Sequence, residues 1–220
     1  MQLGNVTKIS KRNYADACGT AHGLELIGER WALLVLREML LGPRRFSDLR
    51  ADLPGISANI LSQRLGELEQ RGLVRRRRLP PPASVQVYEA TQWGLEAEPV
   101  IGALGKWAAR SRGHDPSLPI SPVSLMLSFT NMLDPSRASD FTGKIALRLR
   151  AETYVAEVAD GAIQVRRGSA DEGEARISAD PEALAAVVYG GAPVDSLAIE
   201  GDTALARRFL CLFTLPPKAD

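Results

Sequence analysis

No apolar run in these 220 residues approaches the ~18 that a membrane-spanning helix needs, so no span is expected. Two cysteines are too few for a disulfide framework, which points to a compartment that keeps thiols reduced and predicts a cytoplasmic protein. Histidine is equally scarce. Cys18, His22, His114 and Cys211 lack the paired spacing of a structural zinc site, and no metal or other cofactor is expected. The opening stretch MQLGNVTKISKRNYAD has no apolar core of the kind a secretion signal carries. No serine stands in a G-x-S-x-G elbow, and kinase and dinucleotide motifs are missing. The carboxylates are scattered without a partner pattern, so an enzyme is not expected.

What the chain does hold is unevenly spread charge. Residues 1–113 carry 17 Lys+Arg against 11 Asp+Glu, whereas residues 114–220 carry 10 against 15. Such asymmetry predicts that only the first half meets a polyanion. The basic half contains the most informative stretch, Arg45 to Thr91. In order it reads as a short helix capped by Ser47, a Pro54-Gly55 turn, a helix capped by Ser57 and stopped by Gly72, an arginine-rich strand, a Pro80-Pro81-Pro82 tip and a returning strand from Ser84 to Ala90. That order is a helix-turn-helix followed by a basic wing, the arrangement that enters a DNA major groove and grips its phosphates.

Taking ~100° per residue, Leu61, Leu65 and Leu68 share one stripe of the Ser57-capped helix. Asn59, Ile60, Gln63 and Glu67 fall opposite, with Ser62 on one flank and Arg64 on the other. Asn59, Ser62 and Gln63 are the candidate base readers, since amide side chains favour adenine. Arg45, Ser57, Arg64 and Arg75, Arg76, Arg77 and Arg78 are the candidate phosphate contacts, although period-two alternation lets at most about half of the last four face one duplex. Ser84 and Gln86, near the wing tip, are candidates for the minor groove.

Around this core, residues 1–13 read as a flexible, slightly basic arm (Lys8, Lys11, Arg12). Helices are expected over Ala15–Ile27 and Arg30–Leu41. A further helix, about Trp93–Ser111, exposes Leu95, Val100, Leu104 and Trp107, too much apolar surface for a solvated helix, and is the expected dimer contact. Residues 14–113 thus form one domain. The proline-rich 114–122 segment reads as a linker, and 123–220 as a second, α+β domain. There, a helix over Val123–Leu133 precedes strands at Lys144–Arg150, Thr153–Ala159, Ala162–Arg167 and Ala175–Ser178. Asp160-Gly161 is a hairpin signal. Asp180 is expected to cap a helix to Tyr189, Ser196–Glu200 to form a short strand, and Asp202 to cap a last helix to about Phe213.

These residues resemble the HxlR-type winged helix regulators. The likeness runs from about Tyr14 to Arg110 through Cys18, Arg30-Trp31, Arg45-Phe46-Ser47-Asp48-Leu49-Arg50, Gly55-Ile56-Ser57, Leu61, Arg64-Leu65, Leu68-Glu69, Gly72-Leu73-Val74, Tyr88, Thr91, Gly94 and Trp107. Gln86 and Ala90 depart from usually larger apolar positions, and Gly66 loosens the recognition helix by roughly 1 kcal/mol against alanine. The resemblance implies a homodimer on double-stranded DNA, bound to a near-palindromic operator with one recognition helix per half-site.

The second half is similar to sterol-carrier-protein-type domains, through Phe141-Thr142-Gly143, Val158-Ala159-Asp160-Gly161 and Ile199-Glu200-Gly201-Asp202 before Ala204-Leu205. Gly190 to Leu197 is shorter than in that family, against a full-sized tunnel. This likeness implies a mixed sheet with helices and a pocket for a small apolar or amphipathic ligand, with Leu125, Phe129, Ile145, Leu147, Leu149, Tyr154, Ala156 and Val158 as candidate walls.

The leading expectation is a dimeric transcriptional regulator, a repressor, whose second domain modulates operator affinity by binding such a ligand. A second keeps DNA binding but makes Cys18 the sensor. Cys18 and His22 lie four apart on one side of the first helix, where a histidine can lower a thiol's pKa, and some relatives of the resembled family sense oxidants through a cysteine in this region. The plainer alternative is that Cys18 is a small buried residue at a helix crossing. A third expectation is a lipid carrier whose first half only dimerises it.

Overall fold

The computed structural model describes residues 14–219; the basic arm expected over 1–13 lies outside them. The first half runs α1 (Gly19–Ile27), α2 (Ala32–Arg37), α3 (Phe46–Asp52), α4 (Ala58–Gln70), β1 (Val74–Arg78), β2 (Gln86–Ala90), α5 (Gln92–Leu95) and α6 (Glu98–Ala108). Antiparallel β1 and β2 form the wing, with Arg75 opposite Glu89 and Arg76 opposite Tyr88. Val35, Leu36, Met39, Leu49, Leu61, Leu65 and Leu68 make one core beneath it, so the leucine stripe of α4 faces inward as expected.

Local chemistry explains the boundaries. Ser57 accepts the Ile60 amide at 3.3 Å and starts α4. Gly72 follows the helix at φ +74°, the left-handed conformation glycine adopts without strain. Helix α2 begins only at Ala32 because Trp31 itself sits at φ +77°, and tighter turns replace α-helix after Arg37. Helix α3 starts one residue earlier than expected. Ser47 is inside it rather than its cap, and the Asp48 carboxylate reaches back to the Arg45 amide at 3.3 Å. The single helix expected from Trp93 to Ser111 is two, since Pro99 has no N–H to offer the carbonyl four residues back, in α5.

The second half contains α7 (Pro122–Met132), α8 (Pro135–Ala138), β3 (Gly143–Leu149), β4 (Glu152–Ala159), β5 (Ala162–Arg167), β6 (Ala175–Ala179), α9 (Pro181–Gly190), β7 (Ala198–Gly201) and α10 (Thr203–Leu210). Its five strands form one mixed sheet, ordered β5-β4-β3-β6-β7, with β3 and β6 parallel. The β4–β5 hairpin turns on Asp160 and Gly161, both at positive φ. Asp202 caps α10 through the Leu205 amide at 2.9 Å. Asp180, at the equivalent place before α9, makes no such bond; Pro181 supplies the pre-set φ of the first helical residue instead. Helices α7, α9 and α10 close over one sheet face, where Phe129 stacks on Phe213 at 4.3 Å and meets Phe209 edge-on at 5.9 Å. The opposite face carries solvated pairs such as Lys144–Glu157 at 3.1 Å and Arg176–Glu200 at 3.0 Å.

Residues 114–121 form neither helix nor strand, yet the halves are closely joined. Leu40 belongs to the second core. Ser121 donates its hydroxyl to the buried Glu38 at 2.9 Å. The Lys218 ammonium caps the end of α6 through the carbonyls of Ala109 and Ser111, at 3.2 and 3.0 Å.

Candidate nucleic-acid interface

With Leu61, Leu65 and Leu68 buried, Asn59, Ser62 and Gln63 are all exposed. The Gln63 amide nitrogen donates to Glu67 at 3.0 Å. Ser57 is exposed but already spends one lone pair as the helix cap. Arg45 is exposed at the start of α3.

Arg64 does not sit where the helical phase put it. It is buried, its Nε donating to the Arg30 carbonyl at 3.0 Å while its guanidinium pairs with Glu67 and, at 3.6 Å, with Glu29. Glu67, expected on the solvent face, is buried with it. Packing of α4 against the α1–α2 turn covers both, so Arg64 anchors the recognition helix and is removed from the phosphate contacts.

The wing keeps its four arginines exposed, but acids hold most of them. Arg75 and Arg77 both pair with Glu89, at 2.6 and 2.9 Å, as the register of β1 on β2 requires. Arg76 pairs with Glu69 at 3.0 Å and lies over the Tyr88 ring at 5.6 Å. Arg78 donates to the Ser84 carbonyl at 3.2 Å. Arg76, Arg77, Arg78, Ser84 and Gln86 line an open concavity of about 260 Å³. The acids Glu69 and Glu89 were not anticipated; Glu89 was legible as the residue facing Arg75 once the hairpin register is drawn. They tether guanidiniums that stay exposed themselves, although Glu89 is buried beneath them.

The eight residues expected to wall a ligand chamber, Leu125, Phe129, Ile145, Leu147, Leu149, Tyr154, Ala156 and Val158, are instead fully buried in one packed core. They fill the space between sheet and helices. Cys18 is exposed rather than buried at a crossing. Its thiol pKa is lowered by the backbone N–H groups of Ala21 and Thr20 at the start of α1 and by the Thr20 side chain. His22, the expected partner, turns to Glu25 at 3.1 Å. Among the described residues no group of three or more His, Cys, Asp or Glu could hold a metal ion, and no helix is long and apolar enough to cross a membrane.

An outward amide-bearing helix beside an arginine-rich wing defines a winged helix-turn-helix transcriptional regulator. Residues 26–115 match the HxlR-like helix-turn-helix family. The HTH-type transcriptional regulator YvaP of Bacillus subtilis is 36% identical over 85 residues, which are 39% of this chain and 79% of YvaP. The regulator YodB of the same organism is 35% identical over 83 residues, 38% of this chain and 74% of YodB. The chain belongs to the HxlR family. Two solved structures are similar to somewhat under half of it: reduced YodB from B. subtilis (30% identity, 46% of this chain, 100% of that one, TM-score 0.40) and the redox regulator HypR in its oxidised form (28%, 44%, 100%, TM-score 0.41).

Proposed function

We propose that the protein is a homodimeric repressor that reads a near-palindromic operator with Asn59, Ser62 and Gln63, while Arg45 and the wing arginines fix register on the phosphates. The observation that carries this reading is the division of α4. Its leucines are buried and its anchor Arg64 is locked to the turn between α1 and α2, so the polar face is presented by a rigid support. A second copy is the proposed occupant of the apolar surface of α5 and α6, where Trp93, Leu95, Val100, Leu104 and Trp107 are exposed. The second half, from about residue 123, is read as a sterol-carrier-type unit on the strength of its mixed sheet and its Asp160-Gly161 hairpin. Because its core is filled, it acts here as a body docked on the DNA-binding half, not as a ligand chamber.

Fluorescence anisotropy on duplexes enriched by the wild-type protein from a random pool tests the proposal. Asn59→Ala and Gln63→Ala relax sequence preference, and Arg45→Ala weakens all sequences alike. Unchanged preference in both amide variants would remove α4 from base reading.

A second reading, oxidant or electrophile sensing through Cys18, is favoured by one observation: an exposed thiol at a helix N-terminus with its pKa lowered. Operator release by peroxide in the wild type but not in Cys18→Ser supports it, and identical responses exclude it.

A further inference from the structure

Arg44 is 3% exposed and touches three structural units at once. Its own amide and carbonyl each bond Tyr88 of the wing strand β2, both at 2.8 Å. Its guanidinium divides between Asp52, the last residue of α3, and Glu152, the first residue of β4 in the second half. Glu152 is held from its own side, by Arg167 at 2.9 Å and by the Tyr154 hydroxyl. Arg167 in turn donates to the Leu41 carbonyl at 2.9 Å, three residues before Arg44.

One buried arginine therefore connects the wing, through its backbone, with the first helix of the helix-turn-helix and the sheet of the second half, through its guanidinium. Arg45, the adjacent phosphate candidate, starts α3, and α4 follows α3 after five residues. A buried, hydrogen-bonded charge tolerates little displacement, since a shifted partner leaves the remaining ion desolvated and unpaired. A change in the pose of β4 is thus passed to the wing and to α3 together, while Arg64 keeps α4 registered on the α1–α2 turn.

We infer that Arg44 is a positioning residue through which Glu152, outside the nucleic-acid face, sets the DNA-binding geometry of the winged helix, so that the second half regulates operator affinity across this ionic seam. The inference rests on the DNA-binding reading above. It requires no chamber in the second half, only that whatever acts there bind the two poses unequally.

The test compares wild type, Glu152→Gln and the milder Tyr154→Phe on one duplex selected by the wild type. Active concentration is fixed first by stoichiometric titration, so that partial unfolding lowers the active fraction and not the measured Kd. Expected is a Kd about 2- to 30-fold weaker for Glu152→Gln, the span of couplings carried through packed networks. A smaller loss in the same direction follows for Tyr154→Phe, and Glu152→Asp restores part of it. Hydrogen exchange, read without DNA, shows faster exchange of the Arg44 and Tyr88 amides. Wild-type Kd in both folded variants overturns the inference while leaving DNA binding intact; a wild type that enriches no duplex overturns both.

Discussion

Asn131 of α7 fills the space that a side chain at Gly102 of α6 would need: a Cβ built there lies 2.1 Å from the Asn131 side-chain oxygen. The absence of a Cβ lets the two helices approach, and Asn131 is fixed in the gap by donating to the Leu127 carbonyl at 2.6 Å. Gly102→Ala therefore costs about 1–3 kcal/mol, the usual cost of overpacking. Asn131→Ala in the same chain returns most of it. Urea unfolding of the two single variants and the double variant gives the coupling; additive losses would mean that the contact is unimportant.

Arg44→Met leaves Glu152 and Asp52 facing each other at a seam without the shared cation. Arg150 at 3.3 Å from Asp52 and Arg167 at 2.9 Å from Glu152 still compensate them, so the loss falls below the about 3–5 kcal/mol of an uncompensated buried charge. In the wild type the pH contributions of these two carboxylates oppose each other. Burial raises the Asp52 carboxyl above 3.8 and outweighs Arg44, so its share of stability is complete below the unfolded value and fades as pH rises through the folded one. Burial also opposes ionisation of Glu152, but hydrogen bonds from Arg167 and Tyr154 and the Arg44 charge hold its carboxyl below 4.5. Its share is complete above 4.5 and fades as pH falls through the folded value. In Asp52→Asn the Glu152 share is no longer opposed by Asp52, so urea midpoints drop more steeply on acidification than in the wild type. Parallel profiles would refute the assignment.

Elements whose signals are local were legible in the chain. Ser57, Gly72, Asp160-Gly161 and Asp202 each act on their own backbone within a few residues, and each sits where the sequence put it. Arg64 was misplaced because a helical wheel shows only which residues share a face of α4, not that Arg30 and Glu29 cover its flank. The Arg44–Glu152 contact joins residues 108 apart. No period or motif encodes it. The filled second core follows the same rule: alternation told which face of β3 and β4 is apolar, but not whether helices or a ligand would cover it.

Val100, Leu104 and Trp107 lie at i, i+4 and i+7 on α6, one continuous apolar face, and Trp107 is 72% exposed. If a second copy covers this face, Trp107→Ala weakens dimerisation by about 30-fold, the equivalent of the ~2 kcal/mol typical of an aromatic anchor. Sedimentation equilibrium measures it directly. The same variant loses operator affinity, because one recognition helix no longer brings its twin to the second half-site. A Trp107→Ala protein that remains dimeric at nanomolar concentration would place the dimer contact elsewhere.

Cys18 offers a prediction with a defined sign. Backbone donors of Ala21 and Thr20 at the start of α1, followed by the Thr20 side chain, favour the thiolate and lower the thiol pKa from 9.0. At neutral pH a larger fraction is therefore ionised than in an unperturbed cysteine, and alkylation is faster. Cys211 is also exposed, so the measurement uses Cys211→Ser, with iodoacetamide rates taken across the alkaline range. The rate should reach half its plateau below pH 9.0. Thr20→Val removes one of the three stabilising contributions at nearly constant volume and moves that midpoint upward, with the helix retained by circular dichroism. A midpoint at or above 9.0 in the parent, or one insensitive to Thr20→Val, would mean that the start of α1 does not tune this thiol, and would withdraw the support that its position lends to redox sensing.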